Sequence, residues 1–163
     1  MNWSGEELNL CDMLMFAKCK RSAQRMLEHI LPFIEGRLKL KEITSRSNAL
    51  GYERLKLKLK QFIMGWVNYF RLADMNKLLI STDKWLRRRL RMYIWKRWKR
   101  IRTRYTMLKR LGLNRSNAEK YANTRKGYWH IAKSQILSCT ITDNRLRQAG
   151  YTFFADYYKT VKV

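Results

Sequence analysis

One run of the chain, from Asp83 to Tyr105, constrains the fold more than any other because it mixes many basic residues with large apolar ones. The apolar residues recur at steps of three and four, the spacing that places side chains on one face of an α-helix. They are Leu86, Leu90, Tyr93 and Ile94. Neither glycine nor proline interrupts the run, so the sequence predicts one continuous helix here.

The basic residues of this run are too numerous to share one face of that helix. Ten of them follow Lys84: Arg87, Arg88, Arg89, Arg91, Lys96, Arg97, Lys99, Arg100, Arg102 and Arg104. We therefore expect them to flank the apolar face on both sides and to point outward. After Asp83 the next carboxylate is that of Glu119, so no acidic neighbour along the helix can neutralise them. Such crowding of like charge is unfavourable unless an external polyanion offsets it, which indicates nucleic-acid binding.

The composition describes a folded, strongly basic protein. Its 163 residues include 36 Lys+Arg and 12 Asp+Glu, for a formal net charge of +24, and 46% of them are hydrophobic. This length suits one ordinary domain or two small ones, and the hydrophobic share is too high for a disordered basic tail. Arginine interleaved with aromatic residues favours phosphates and stacked bases over an acidic protein partner. Because these residue types intermix along the chain, we do not expect a membrane surface as partner.

Sorting signals favour the cytoplasm. No apolar run approaches the roughly 18 to 20 residues that a transmembrane helix needs. The first ten residues, MNWSGEELNL, are acidic and lack the positive segment of a secretory signal. The cysteines are three in number and widely spaced, which suits reduced thiols in a cytoplasmic protein.

Metal and cofactor sites are not expected. Cys11, Cys19 and Cys139 form no CxxC pair, and His29 and His130 lie far from one another in sequence. We expect three buried or half-buried thiols and two ordinary histidines. No glycine-rich phosphate-binding loop of the Walker type is present either.

Hydrophobic spacing predicts an all-α fold. Three longer segments, at about 20–46, 52–72 and 76–104, carry apolar stripes at helical spacing and should pack as a three-helix bundle. Pro32 should kink the first of them, because proline lacks an amide donor. Residues 1–19 weakly favour a helix or a poorly ordered segment, and the apolar run MLMF at 13–16 fits a short strand equally well.

Aromatic residues of the second segment, Trp66 and Tyr69, are assigned to the core of this bundle. The last third of the chain reads as a small C-terminal domain of short helices. Its helix-start signals are Asn114 or Ser116, Ser134 and Thr142, and its helix-end glycines are Gly112 and Gly150.

Two long stretches carry a family resemblance. The first, EITSRSNALGYERLKLKLKQFIMGWVNYFRLADMNKLL followed by DKWLRRRLRMYIWKRWKR, resembles the maturase domain of bacterial group II intron reverse transcriptases, which is also the polymerase thumb. The second, NTRKGYWHIAKSQIL and TDNRLRQAGYTFFADYY, is similar to the DNA-binding C-terminus of those proteins. The resemblance implies a palm remnant at 1–41, a maturase domain at 42–104 and a DNA-binding-like helical region at 105–163.

The front of the chain resembles the palm segment that begins with the Tyr-Ala-Asp-Asp motif of reverse transcriptases. In that alignment Asn9, Leu10 and Cys11 replace the first three motif residues, so only Asp12 remains as a remnant. The resemblance thus implies a front-truncated, internally shortened relative. DNA synthesis requires several carboxylates around two metal ions, and cysteine is a poor Mg²⁺ ligand. We therefore expect no catalytic residues and no enzyme activity from this chain by itself.

The resemblance implies a module that binds structured group II intron RNA through the ten basic residues and assists splicing. An alternative is a DNA-binding remnant that grips duplex DNA through Arg125, Lys126, Tyr128 and Trp129, although the two aromatic residues fit a small core equally well. A degraded open reading frame without function is a third interpretation. A full-length reverse transcriptase is a further partner that the resemblance allows, and the sequence leaves the oligomeric state open.

Overall fold

Helices account for nearly all regular structure in the described part of the chain. The structure is a computed structural model that describes residues 33–45, 47–48, 50–71 and 75–162. Its helices are α1 (33–43), α2 (Tyr52–Tyr69), α3 (Asn76–Arg97), α4 (Ile101–Arg110), α5 (Arg115–Ala122), α6 (Tyr128–Ala132), α7 (Gln135–Thr140), α8 (Asp143–Gln148) and α9 (Phe154–Val161). No strand occurs within those ranges. The predicted all-α class is confirmed.

Helix α2 forms because its apolar side chains recur at every fourth position. Leu55, Leu59, Ile63 and Val67 are all buried, so one face of the helix lies in the core. The LKLKLK opening of this segment alternates like a strand, yet the helical period continues through it and determines its structure.

Helix α3 lies at the centre of the packing. The C-terminal helix α9 packs against both α2 and α3, and the short helix α6 packs along α3. Buried residues from Leu40 to Tyr158 form one hydrophobic cluster, and Leu40–Val163 is one compact unit. Helices on both sides of residue 104 therefore share a core, and the division of function at that point stays a prediction.

The prediction of one helix through the basic run is wrong. Helix α3 ends at Arg97 and α4 begins at Ile101. The break allows Trp98 to be buried and turns the chain so that Arg104 reaches back over the Trp95 ring, at 4.9 Å from its centroid. In a straight helix these two residues would be separated by about 13 Å along the axis, so tertiary packing outweighs helix propensity here.

The helix boundaries predicted after residue 111 are confirmed. Asn114, Ser134 and Thr142 each accept a hydrogen bond from the backbone N–H three residues later. Gly112 and Gly150 have φ of 94° and 89° and follow the ends of α4 and α8. At both glycines the chain closes a Schellman turn, because the next residue donates to a carbonyl five residues back.

Two predictions about the burial of single side chains are wrong. Tyr69 is 76% exposed, so its assignment to the core is wrong, whereas Trp66 packs its ring against Phe70 and Phe154. Cys139 is exposed, contrary to the expected burial.

Other predictions fall outside the described residues. These are Asp12, Cys11, Cys19, His29, the kink at Pro32 and the conformation of residues 1–19. In the part of the chain that the structure describes, no helix is both long and apolar enough to cross a bilayer, and no cluster of three or more metal-ligating side chains occurs.

Candidate nucleic-acid interface

Two arginines of α3 are held by a carboxylate from far along the chain. Arg91 Nη2 donates to Asp143 Oδ1 at 2.9 Å, and Arg87 Nε lies 3.3 Å from Asp143 Oδ2. Arg91 Nε also donates to the Ile141 carbonyl at 3.0 Å. The Arg87 and Arg91 side chains are only 16% and 12% exposed, whereas the Asp143 side chain is 40% exposed, so the arginines are largely buried and water still reaches the carboxylate. These arginines fix helix α8 and the residues before it against α3.

Arg88 is held by the α6 segment. Its guanidinium carbon lies 3.7 Å from the centroid of the Trp129 ring, and its Nη2 donates to the Trp129 carbonyl at 3.3 Å. A planar guanidinium combines stacking and hydrogen bonding in this way more readily than an ammonium does. The contact explains how a five-residue helix such as α6 is held in place.

Arg89 anchors the segment before α2 on another side of α3. It donates to Thr44 Oγ1 at 2.8 Å, to the Lys41 carbonyl at 2.8 Å and to the Thr44 carbonyl at 3.2 Å. Burial lowers the pKa of Arg89, and burial likewise lowers that of Arg91, where Asp143 opposes the shift. Both groups stay cationic at neutral pH because the ordinary arginine value is so high.

Two further arginines also contact their own chain. Arg97 lies over the Tyr52 ring at 5.1 Å and donates to the Leu50 carbonyl at 3.3 Å. Arg104 Nε donates to the Trp98 carbonyl at 2.9 Å, which satisfies a backbone acceptor at the end of α3.

The expectation that all ten basic residues point outward is therefore wrong. Six of them make contacts that hold the fold together: Arg87, Arg88, Arg89, Arg91, Arg97 and Arg104. The expectation that they lack internal counterions is wrong for Arg87 and Arg91. Asp143 lies 52 residues after Arg91, so no local sequence pattern could reveal the pairing.

The other four of the ten lie in the last turn of α3 or shortly after it. Lys99, Arg100 and Arg102 are exposed, and Lys96 is half-buried. Lys96 Nζ lies 6.0 Å from the centroid of the Tyr128 ring, which places the loop before α6 beside the end of α3.

That loop carries two of the predicted DNA-binding residues. Arg125 and Lys126 are both exposed and precede Tyr128 by three and two residues. The contact between Lys96 and Tyr128 brings the start of α6, which directly follows this loop, to the last turn of α3. We call the following set the basic surface: Lys96, Lys99, Arg100, Arg102, Arg125 and Lys126. Within the described ranges none of these six forms an ion pair with a carboxylate.

Tyr128 and Trp129, the other two predicted DNA-binding residues, are half-buried. Tyr128 packs against the hydrophobic cluster, and one face of Trp129 carries the Arg88 guanidinium. The packing interpretation of these aromatic residues therefore fits the geometry better than stacking on bases.

Asp83 is a buried structural residue that the sequence analysis did not identify. It is fully buried, and its two oxygens accept from the Phe154 and Ala155 N–H groups, both at 2.9 Å. The carboxylate therefore caps the N-terminus of α9 from another helix. Burial raises the pKa of Asp83, and the two N–H groups and nearby Arg87 oppose that rise. The sequence indicates this structural role only by placing a single acidic residue, Asp83, within a very basic helix.

Comparison with known families agrees with this architecture. Residues 35–112 match the family model described as "Group II intron, maturase-specific domain". This range contains α2, α3, α4 and the residues that join them. No curated protein sequence matches the chain significantly. The resemblance of residues 42–104 to a maturase domain is therefore confirmed, and residues 35–112 of the chain are similar to the maturase-specific domain of group II intron proteins.

Proposed function

We propose that this protein binds structured RNA of the group II intron class through the basic surface and thereby assists RNA splicing. The observation that carries the proposal is a set of six cations to which the described residues supply no carboxylate partner: four lie at the end of α3 and the start of α4, and two directly precede Tyr128, whose ring lies 6.0 Å from Lys96 Nζ. A maturase-specific domain and a net charge of +24 support the same conclusion. Contacts of this kind go to backbone phosphates, so the shape of the RNA would supply specificity.

The test is the salt dependence of RNA binding. If each of the six cations neutralises one phosphate, the slope of log K against log salt should be about −5. The triple variant Lys99→Ala, Arg100→Ala, Arg102→Ala should reduce that slope by roughly 2 to 3 and weaken binding at low salt. A filter-binding or fluorescence-anisotropy titration from 50 to 200 mM salt measures both quantities.

A matched control removes the same charge elsewhere. Lys60, Lys77 and Lys159 are exposed and lie outside the basic surface, so their triple alanine variant lowers the net charge equally. It should retain most of the wild-type slope. Equal slopes for the two triple variants would show that only overall charge matters and would exclude the proposed surface.

We further propose that the chain performs no DNA synthesis of its own. The support is the aligned palm motif, in which Asp12 alone remains of the metal-binding carboxylates. Primer extension on an RNA template in Mg²⁺ should give no product. Extension by the purified chain that is lost in an Asp12→Ala variant would contradict this proposal.

Duplex DNA is the alternative ligand. We keep this alternative because Arg125 and Lys126, two of the predicted DNA-binding residues, are exposed. Competition between a structured intron RNA and duplex DNA of equal length separates the two. Stronger binding of the duplex DNA would favour the DNA-binding interpretation over the maturase one.

A further inference from the structure

Two neighbouring arginines of α3 share a single carboxylate. Asp143 Oδ1 accepts a hydrogen bond from Arg91 Nη2 at 2.9 Å, and Asp143 Oδ2 lies 3.3 Å from Arg87 Nε. The arginines are four residues apart in the helix, so their side chains lie on one face and converge on the same anion. No other carboxylate of the described residues forms an ion pair with either arginine.

This carboxylate satisfies one arginine well and the other poorly. Arg91 donates both to Asp143 and to the Ile141 carbonyl. Arg87 Nε is buried, and in the part of the chain that the structure describes it has no acceptor in hydrogen-bonding geometry, although Asp143 Oδ2 is close to it. A buried donor without an acceptor is unfavourable. The arginine pair would therefore be better satisfied by an anion with more oxygens than a planar carboxylate has.

Contacts other than Asp143 hold both guanidinium groups in position. Arg91 Nε donates to the Ile141 carbonyl at 3.0 Å, and the Arg87 guanidinium lies over the Phe153 ring, 4.9 Å from its centroid. Both side chains are mostly buried, which restricts their rotamers. The pair should therefore stay in place when the anion between them is changed.

A phosphate group suits this pair, and solvent reaches the place where it would bind. Arginine recognises phosphate through the same N–H groups that bind a carboxylate, and phosphate oxygens are arranged tetrahedrally instead of in one plane. The Asp143 side chain is 40% exposed, so the anion lies on the solvent side of the two arginines. Asp83 and Asp156, the other acids of this region, are engaged by the N–H groups of α9 and by an arginine of α8.

The arginine pair lies on a different side of α3 from the basic surface. Lys96 follows Arg91 by five residues, which turns it about 140° around the helix axis. Arg88, which contacts Trp129 of α6, lies between these two directions. With Asp143 in place, this side of α3 presents arginines whose charge is already partnered.

We propose that Arg87 and Arg91 form a second phosphate-binding site that Asp143 keeps occupied, so that RNA contacts are confined to the basic surface. This inference rests on the proposed function. An arginine pair open to phosphate would bind any RNA, because phosphate contacts carry no sequence information. Asp143 thereby reduces non-specific binding without touching RNA itself. A purely structural role for Asp143 predicts only a loss of stability when it is replaced.

Asp143→Ala opens the site, and inorganic phosphate should then restore part of the lost stability. In chloride the variant should melt below the wild-type protein, because two arginines lose their anion. Replacing chloride by phosphate at constant ionic strength stabilises folded proteins in general, so the gain is compared with that of the wild-type protein. Phosphate at several times its Kd should raise the Tm of the variant by about 3 °C more than that of the wild-type protein.

Two variants show whether the gain comes from this site. Glu119→Ala removes a carboxylate from Arg115, whose side chain is 79% exposed, and should show only the wild-type gain. The double variant Asp143→Ala, Arg91→Ala lacks half of the site and should lose most of the extra gain. Asp143→Ser keeps an acceptor oxygen and leaves room for phosphate, so it carries both measurements if Asp143→Ala does not fold.

The consequence for RNA is measured separately. Asp143→Ala should bind an unrelated RNA of equal length more tightly, with a Kd roughly tenfold lower at 50 mM salt. Affinity for the intron RNA should rise less, so the ratio of the two affinities should fall. Glu119→Ala changes the net charge equally and should leave both values of Kd within about twofold.

The outcomes separate this inference from the proposed function. Equal phosphate gains in the wild-type protein, Asp143→Ala and the double variant would show that no phosphate binds between the arginines. A phosphate gain with an unchanged Kd for unrelated RNA would overturn the claim that Asp143 reduces non-specific binding. If the basic-surface triple variant keeps the wild-type salt slope while the phosphate gain is observed, the proposed function is wrong and the second site stands.

Discussion

Arg91 and Arg100 belong to the same basic run, yet their surroundings differ completely. The Arg91 side chain is 12% exposed and bonded to Asp143, whereas Arg100 is exposed at the junction of α3 and α4. A buried, paired arginine contributes to folding, and its removal leaves polar partners unsatisfied. An exposed arginine among other cations contributes little to folding and is available to phosphates.

We therefore expect Arg91→Ala and Arg100→Ala to separate stability from binding. Arg91→Ala should lower the free energy of unfolding by about 2 kcal/mol, which is less than the loss of a fully buried ion pair because Asp143 is partly exposed. The same variant should leave the salt slope of RNA binding unchanged. Arg100→Ala should leave the free energy of unfolding within about 0.5 kcal/mol and reduce the salt slope by about 1. Urea unfolding and RNA titration measure the two effects, and a loss of salt slope in Arg91→Ala without destabilisation would contradict the assignment.

Asp83 should behave as a structural cap. Asp83→Leu leaves the Phe154 and Ala155 N–H groups without an acceptor, so we expect a loss of about 2–4 kcal/mol. Asp83→Asn keeps one oxygen and should lose only about 1–2 kcal/mol. The shift in the midpoint of urea unfolding, with the dependence of the free energy on urea unchanged, gives the change in the free energy of unfolding. Equal midpoints for the wild-type protein and Asp83→Leu would show that the cap is dispensable.

At the level of elements, helix ends are determined locally wherever a cap or glycine is present. Asn114, Ser134 and Thr142 begin helices, and Gly112 and Gly150 end them, because each supplies a hydrogen-bond acceptor or a backbone conformation that neighbouring residues provide poorly. The end of α3 has no such signal. It is determined by burial of Trp98 and by Arg104, which donates to the Trp98 carbonyl.

The glycines give opposite predictions according to their conformation. Gly112→Ala and Gly150→Ala force alanine to a positive φ and should each lower the free energy of unfolding by about 1–2 kcal/mol. Gly65→Ala, within a helix, should raise it by up to about 1 kcal/mol. Thermal unfolding of the three single variants tests the contrast, and destabilisation by all three would disprove it.

At the level of the whole molecule, α9 joins parts of the chain that are distant in sequence. It packs on α2 and α3, and the N–H groups of its first two residues donate hydrogen bonds to the Asp83 carboxylate. Phe154 also meets the rings of Phe62 and Trp66 edge-on, at 6.4 and 5.5 Å between centroids. A core built in this way is expected to unfold in one step, whereas a degraded reading frame would give no cooperative transition.

Deletion of residues 154–163 should therefore abolish the cooperative transition of the whole chain. The deletion exposes the apolar faces that α9 covers and leaves the buried Asp83 carboxylate without its donors. Tryptophan fluorescence during urea unfolding reports the change, and deletion of residues 162–163 alone serves as the control. If the variant that lacks residues 154–163 unfolds like the wild-type protein, the C-terminal region is an independent domain.

The sequence by itself determined the helical class, the buried face of α2, the caps after residue 111 and the family resemblance, because all of these depend on residues within a few positions of one another. Only the tertiary structure decided which arginines are available to a ligand. Asp143, Trp129 and Thr44 lie 41 to 56 residues from the arginines that they hold, and no local pattern encodes such a distance. The proposed basic surface depends on the same physical effect, since packing of α6 along α3 brings Tyr128, which follows Arg125 and Lys126, against Lys96 at the end of α3.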